Sequence, residues 1–116
     1  MDKSISTNQL FSIKAIKDTV TKAVNSFELK EAIDKIGVFG SVARGDWHKD
    51  SDIDLIIDYD FSGNIEHKVQ AYCKLSDIIC SSFPVEVNLA DFESLDYEGN
   101  NAIKSEILKD VIWIYG

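Results

Sequence analysis

Two aspartates one residue apart, in Ser51-Asp52-Ile53-Asp54-Leu55, are the residues of this chain best suited to chemistry. Alternate strand residues face one side, so Asp52 and Asp54 project together while Ile53 and Leu55 turn inward. Two adjacent carboxylates repel each other unless something cationic lies between them. A divalent metal meets that need, and magnesium favours one or two carboxylates together with phosphate oxygens of a substrate. The plainer reading of the same residues is a strand end with two solvated acids. A second feature weighs against it: Gly40-Ser41 begins eleven residues before Ser51, directly after the apolar run Ile36-Gly37-Val38-Phe39. Glycine permits a tight turn and close approach of backbone to a phosphate. A helix starting there offers unpaired N–H groups and the positive end of its dipole, and Ser41 adds a hydroxyl. Alone, a Gly-Ser pair after a strand reads as a turn; beside an acidic pair on the next strand it reads as half of a phosphate-and-metal site.

The elements that must position these residues follow from periodicity. Leu10, Ile13, Val20, Val24 and Phe27 mark one face of a helix predicted from about Ser4 to Phe27. A short helical turn, Glu28 to Asp34, leads into a buried strand over Ile36–Phe39, and a second strand is predicted over Ile53–Tyr59. Ile65, Val69, Tyr72, Cys73, Leu75, Ile78 and Ile79 give a helix from about Asn64 to Ser82, which Pro84 ends. A strand over Val85–Ala90, a polar stretch from Asp91 to Asn100, a helix around Ala102–Leu108 and a strand over Val111–Tyr115 complete the chain. This order predicts an α/β (α+β) fold, a mixed sheet of about four strands with helices packed against it. With 116 residues and no linker or repeat, residues 1–116 are expected to form a single domain.

Composition narrows the function classes. Acidic residues outnumber basic ones by 20 to 12, giving a net charge of −8, and Arg44 is the only arginine. A surface of that sign is unsuited to binding nucleic acid directly through phosphates. No apolar run approaches the roughly 20 residues that span a bilayer. Cys73 and Cys80 lie about two turns apart on one helix, too far for a disulfide, and are expected as reduced core or half-buried thiols of a cytoplasmic protein. His48 and His67 have no partner spacing that suggests zinc; His67 reads as a surface residue, and His48 reads as a solvated loop residue with ligand contact as the alternative. Trp47 could flank a ligand, pack on the sheet or face a partner, and Trp113 and Tyr115 could be core or interface.

Gly40-Ser41-Val42-Ala43-Arg44-Gly45, followed after five residues by Ser51-Asp52-Ile53-Asp54-Leu55, resembles the signature of the DNA polymerase beta-type nucleotidyltransferases. It is most similar to the minimal nucleotidyltransferase (MNT) domains that serve as antitoxins in HEPN/MNT toxin–antitoxin pairs. The resemblance implies that Asp52 and Asp54 bind Mg2+, with two ions when nucleotide is bound, and that Gly40, Ser41, Arg44 and Ser51 contact the nucleotide. It also implies ATP as substrate and transfer of AMP to a tyrosine of a HEPN ribonuclease toxin. Arg44 could equally pair with Asp46 or Asp50.

The family's third carboxylate is expected within Val87-Asn88-Leu89-Ala90-Asp91-Phe92, where Asn88 stands in its place. An amide can offer a carbonyl oxygen to a metal but neither charge nor basicity. Glu86, two residues earlier and so on the same strand face, is a candidate replacement. Three outcomes stay open: Glu86 substitutes for the acid, the site binds nucleotide and turns over slowly, or catalysis is lost. In the last case the chain would be an antitoxin acting by binding alone. A small-molecule transferase of the aminoglycoside-modifying kind is a further alternative, disfavoured because no acceptor-binding domain is present in the sequence.

Overall fold

The structure, a computed structural model, describes residues 12–48, 50–61, 63–91 and 101–116. Helix α1 (Ile13–Asn25) begins at Ser12, whose hydroxyl accepts from the Ala15 N–H; the part of this helix expected from Ser4 to Phe11 lies outside the described residues. A 3-10 turn (Lys30–Ala32) leads into β1 (Ile33–Phe39) and the five-residue helix α2 (Gly40–Arg44). Then come β2 (Ile53–Tyr59), α3 (Ile65–Ser81), β3 (Val87–Asp91), α4 (Asn101–Asp110) and β4 (Ile112–Tyr115). The polar stretch 92–100 lies outside the described residues.

The strands form one mixed sheet in the order β3-β2-β1-β4. β1 pairs antiparallel with β2 and β4, and β2 pairs parallel with β3. Several boundaries differ from the sequence expectation, and two of them bear on the site. β1 starts at Ile33, inside the segment expected as a helical turn, because Ile33 pairs across to Tyr59 and buries its side chain. β3 starts at Val87, two residues late, although the Glu86 carbonyl still accepts from the Ile53 N–H at 3.0 Å.

The two faces of the sheet are unequal. Ile36 and Val38 of β1, with Ile53, Leu55 and Ile57 of β2, pack against Ile16, Val20 and Val24 of α1 and Leu75 and Ile79 of α3. This is the main core, and burying each such side chain contributes about 1.5–3 kcal/mol. On the other face Ile56 meets Ile107 of α4, with Phe39, Ala90 and Val111 around them. The alternation of β2 therefore places Asp54 on this thinner, more open face.

Cys73 is exposed rather than half-buried, because the buried stripe of α3 runs through Ala71, Leu75 and Ile79; Cys80 is half-buried, and both thiols are free. Trp47 packs on the main core. So does Tyr115, whereas Trp113 is 38% exposed with the Lys35 ammonium 4.3 Å above its ring.

Two phenols tie the far end of β3 to the rest of the molecule. Tyr59 donates to Asp91 Oδ2 at 2.7 Å, and Tyr72 donates to the Leu89 carbonyl at 3.3 Å. Burial pushes the Tyr72 phenol up to about 12, with the Asp91 charge acting in the same direction. The neutral phenol is the form the fold accepts, so stability is lost as pH rises from the ordinary tyrosine value of about 10 toward 12. An alkaline titration followed by phenolate absorbance should show a late-titrating phenol that Tyr72→Phe removes.

Candidate active site

Strand register assembles the site. Asp54 pairs with Phe39 on β1 and with Asn88 on β3, so the residue following Phe39, Gly40, is delivered beside the Asp54 carboxylate. Gly40 has φ +75°, and a Cβ at this position would overlap Asp54 Oδ2 and stand 3.2 Å from its Cγ. Both the backbone conformation and the neighbouring carboxylate therefore require glycine. The short helix ends at Gly45, in the left-handed conformation at φ +80°.

Asp52 and Asp54 are half-buried and converge on one atom. Asn88 Nδ2 donates to Asp52 Oδ2 at 3.3 Å and to Asp54 Oδ1 at 3.0 Å. Asn88 thus stands between the acids, at the position where the sequence pattern led to expect a third carboxylate. Among the described residues no cluster of three or more acidic, histidine or cysteine side chains is placed to hold a metal. The donor set is two carboxylates and one amide. Two convergent hard oxygen donors, with a third available from the amide oxygen, suit a divalent cation such as Mg2+.

The other residues singled out by sequence lie around this centre in different ways. Ser41 is in the first turn of α2, and its hydroxyl has no hydrogen bond to a described residue. The Ser51 hydroxyl accepts from the His48 N–H at 2.9 Å and shapes the loop that enters β2. His48 is exposed, and its Nδ1 accepts from the Asp50 N–H at 3.3 Å; His67 is exposed on α3. Arg44 Nε donates to Asp46 at 3.1 Å and Nη1 to Asp110 at 3.2 Å, which raises the guanidinium pKa further, chiefly through the Asp46 bond. Of its two expected partners Asp46 is present and Asp50 is not; Asp110, from the end of α4, had no signal in the sequence. Glu86 precedes β3, and its exposed side chain has no hydrogen bond to Asp52, Asp54 or Asn88. A cleft of about 430 Å³ beside Gly40 is walled by Phe39, Arg44, Glu106, Ile107 and Asp110. Among the described residues no helix is long and apolar enough to cross a membrane.

The structure thus sets a glycine turn directly beside two convergent carboxylates. The chain is similar to several known proteins. A protein of Methanocaldococcus jannaschii, provisionally named a protein adenylyltransferase, is 28% identical over 103 residues, spanning 89% of this chain and 98% of its own. The protein adenylyltransferase MntA of Thermococcus cleftensis is 22% identical over 105 residues, spanning 90% and 98%. A chain of a toxin–antitoxin crystal structure with AMP-PNP shares the fold with a TM-score of 0.57 at 17% identity, covering 86% of this chain and 73% of that one. So does a chain of the tri-AMPylated Shewanella oneidensis HEPN toxin in complex with its MNT antitoxin, with a TM-score of 0.53 at 13% identity, covering 90% and 73%. The model of the polymerase beta nucleotidyltransferase family matches residues 21–116, and the chain belongs to that family.

Proposed function

We propose that this chain is an MNT-type antitoxin that transfers AMP from ATP to a tyrosine of a partner HEPN ribonuclease toxin. The observation that carries this reading is the convergence of Asp52 and Asp54 beside the Gly40 turn. Its support comes from relatives named as protein adenylyltransferases and from the likeness in fold to an MNT antitoxin bound to an AMPylated HEPN toxin.

Asp52 and Asp54 would hold Mg2+, which supplies neutralisation of triphosphate charge and a more nucleophilic acceptor oxygen. The Gly40-Ser41 turn lets the triphosphate approach the backbone, with the Ser41 hydroxyl as a donor. Arg44, fixed by Asp46 and Asp110, keeps a cation at the rim of the adjoining cleft. Ser51 holds the loop leading to Asp52. In the reaction the tyrosine hydroxyl gives up its proton to solvent, its oxygen bonds to the α-phosphorus, the bond from that phosphorus to the bridging oxygen breaks, and pyrophosphate leaves with the electron pair.

Asn88 favours a second reading, in which the chain neutralises its toxin by occlusion alone. Intact-mass analysis of the partner after co-expression separates the two. One or more added AMP groups on the partner, lost with Asp52→Ala, support transfer; a tight complex with an unmodified partner supports occlusion. Transfer that survives Glu86→Ala would remove Glu86 from any part in the chemistry.

A further inference from the structure

Asn88 is the residue the family pattern leaves unexplained, and its geometry gives it a specific task. It is the direct register partner of Asp54 on the parallel strand and donates to both carboxylates through one nitrogen. Two like charges this close cost stability unless a donor or a cation joins them. The amide's NH2 face carries two donors and no charge. Its oxygen face would add a third acceptor to two anions, so the hydrogen-bond network fixes which face points inward. A cation reverses the demand, because it needs acceptors. Half a turn about the terminal torsion, which is broad and roughly two-fold, then presents the amide oxygen from the same place. A carboxylate at position 88 could serve only the cation-bound arrangement and would place a third negative charge against the pair otherwise.

We propose that Asn88 is a positioning residue that joins Asp52 to Asp54 when no cation is bound, and thereby lowers the affinity of the site for free divalent metal. The site accordingly loads with the metal that a nucleotide brings rather than with metal alone. This inference rests on the reading of Asp52 and Asp54 as cation ligands and deepens it.

The test uses the purified chain without nucleotide or partner. Thermal unfolding is followed in EDTA, and Mn2+ binding is followed by calorimetry. Asn88→Asp should unfold about 3–6 °C lower than wild type in EDTA and bind Mn2+ at least about tenfold more tightly. Asn88→Ala, which removes the bridge without adding charge, should unfold lower in EDTA and bind Mn2+ more tightly than wild type, though less tightly than Asn88→Asp. In an Asp54→Asn background the Asn88→Asp penalty in EDTA should shrink, a coupling that a merely structural role would not produce. An Asn88→Asp protein as stable as wild type in EDTA, or one with unchanged Mn2+ affinity, overturns the proposal. Mn2+ binding that persists with Asp52→Asn and Asp54→Asn combined overturns instead the cation-site reading beneath it. These outcomes are independent of whether AMP is transferred to any acceptor.

Discussion

Asp54→Ala is expected to lower AMP transfer by about 10³-fold while leaving the fold at least as stable in EDTA. The size follows from the role of the carboxylate. Cation stabilisation of transition-state charge is worth several kcal/mol, and about 4 kcal/mol corresponds to roughly 10³ in rate. The sign of the stability change follows from the local electrostatics. Asp54 lies against Asp52 with only the Asn88 amide between them, so its removal relieves repulsion and strands no buried partner. Single-turnover rates and thermal unfolding on the same preparation check both halves. A variant that loses activity only because it is unfolded would contradict the account, since the two readouts are expected to move independently.

Gly40→Ala is expected to damage both stability and transfer. The left-handed backbone at φ +75° costs an alanine about 1–2 kcal/mol. The new Cβ would also overlap the Asp54 carboxylate, which must move with its ligand geometry. Displacements on the order of 1 Å in a catalytic group cost about 10²-fold in rate. Gly45→Ala separates the two effects. Gly45 has a similar φ of +80°, but a Cβ there meets nothing within 4 Å. It should therefore lose comparable stability and retain most of its transfer rate. Equal losses of rate in both variants would show that the Gly40 overlap with Asp54 is unimportant.

The sequence reveals the parts of this site that depend on local periodicity. Alternation along Ile53–Tyr59 was enough to place Asp52 and Asp54 on one face, and an apolar run ending in Gly-Ser was enough to place the turn. The family pattern then tied the two together. What it could not reveal depends on register and distance along the chain. The Asn88 bridge spans 34 residues to Asp54 and exists because β3 runs parallel to β2 in that alignment. Arg44 reaches Asp110 across 66 residues, through the packing of α2 on α4. The segment from Glu28 to Asp34 reads as a helical turn, yet pairing with β2 draws its end, Ile33 and Asp34, into the strand. Strand alternation puts Glu86 on the face of Asn88, whereas in the structure β3 begins after Glu86 and its side chain makes no hydrogen bond to Asp52, Asp54 or Asn88.

The central claim is that the carboxylate pair beside Gly40 directs attack at the α-phosphorus of ATP. Parallel reactions with ATP labelled at the α- or the γ-phosphate, Mg2+ and the HEPN partner test it most directly. The account predicts label on the partner from the α-position only, release of pyrophosphate, and loss of both when Asp52 and Asp54 are replaced by alanine. Label from the γ-position, or α-label that survives the double replacement, would contradict it.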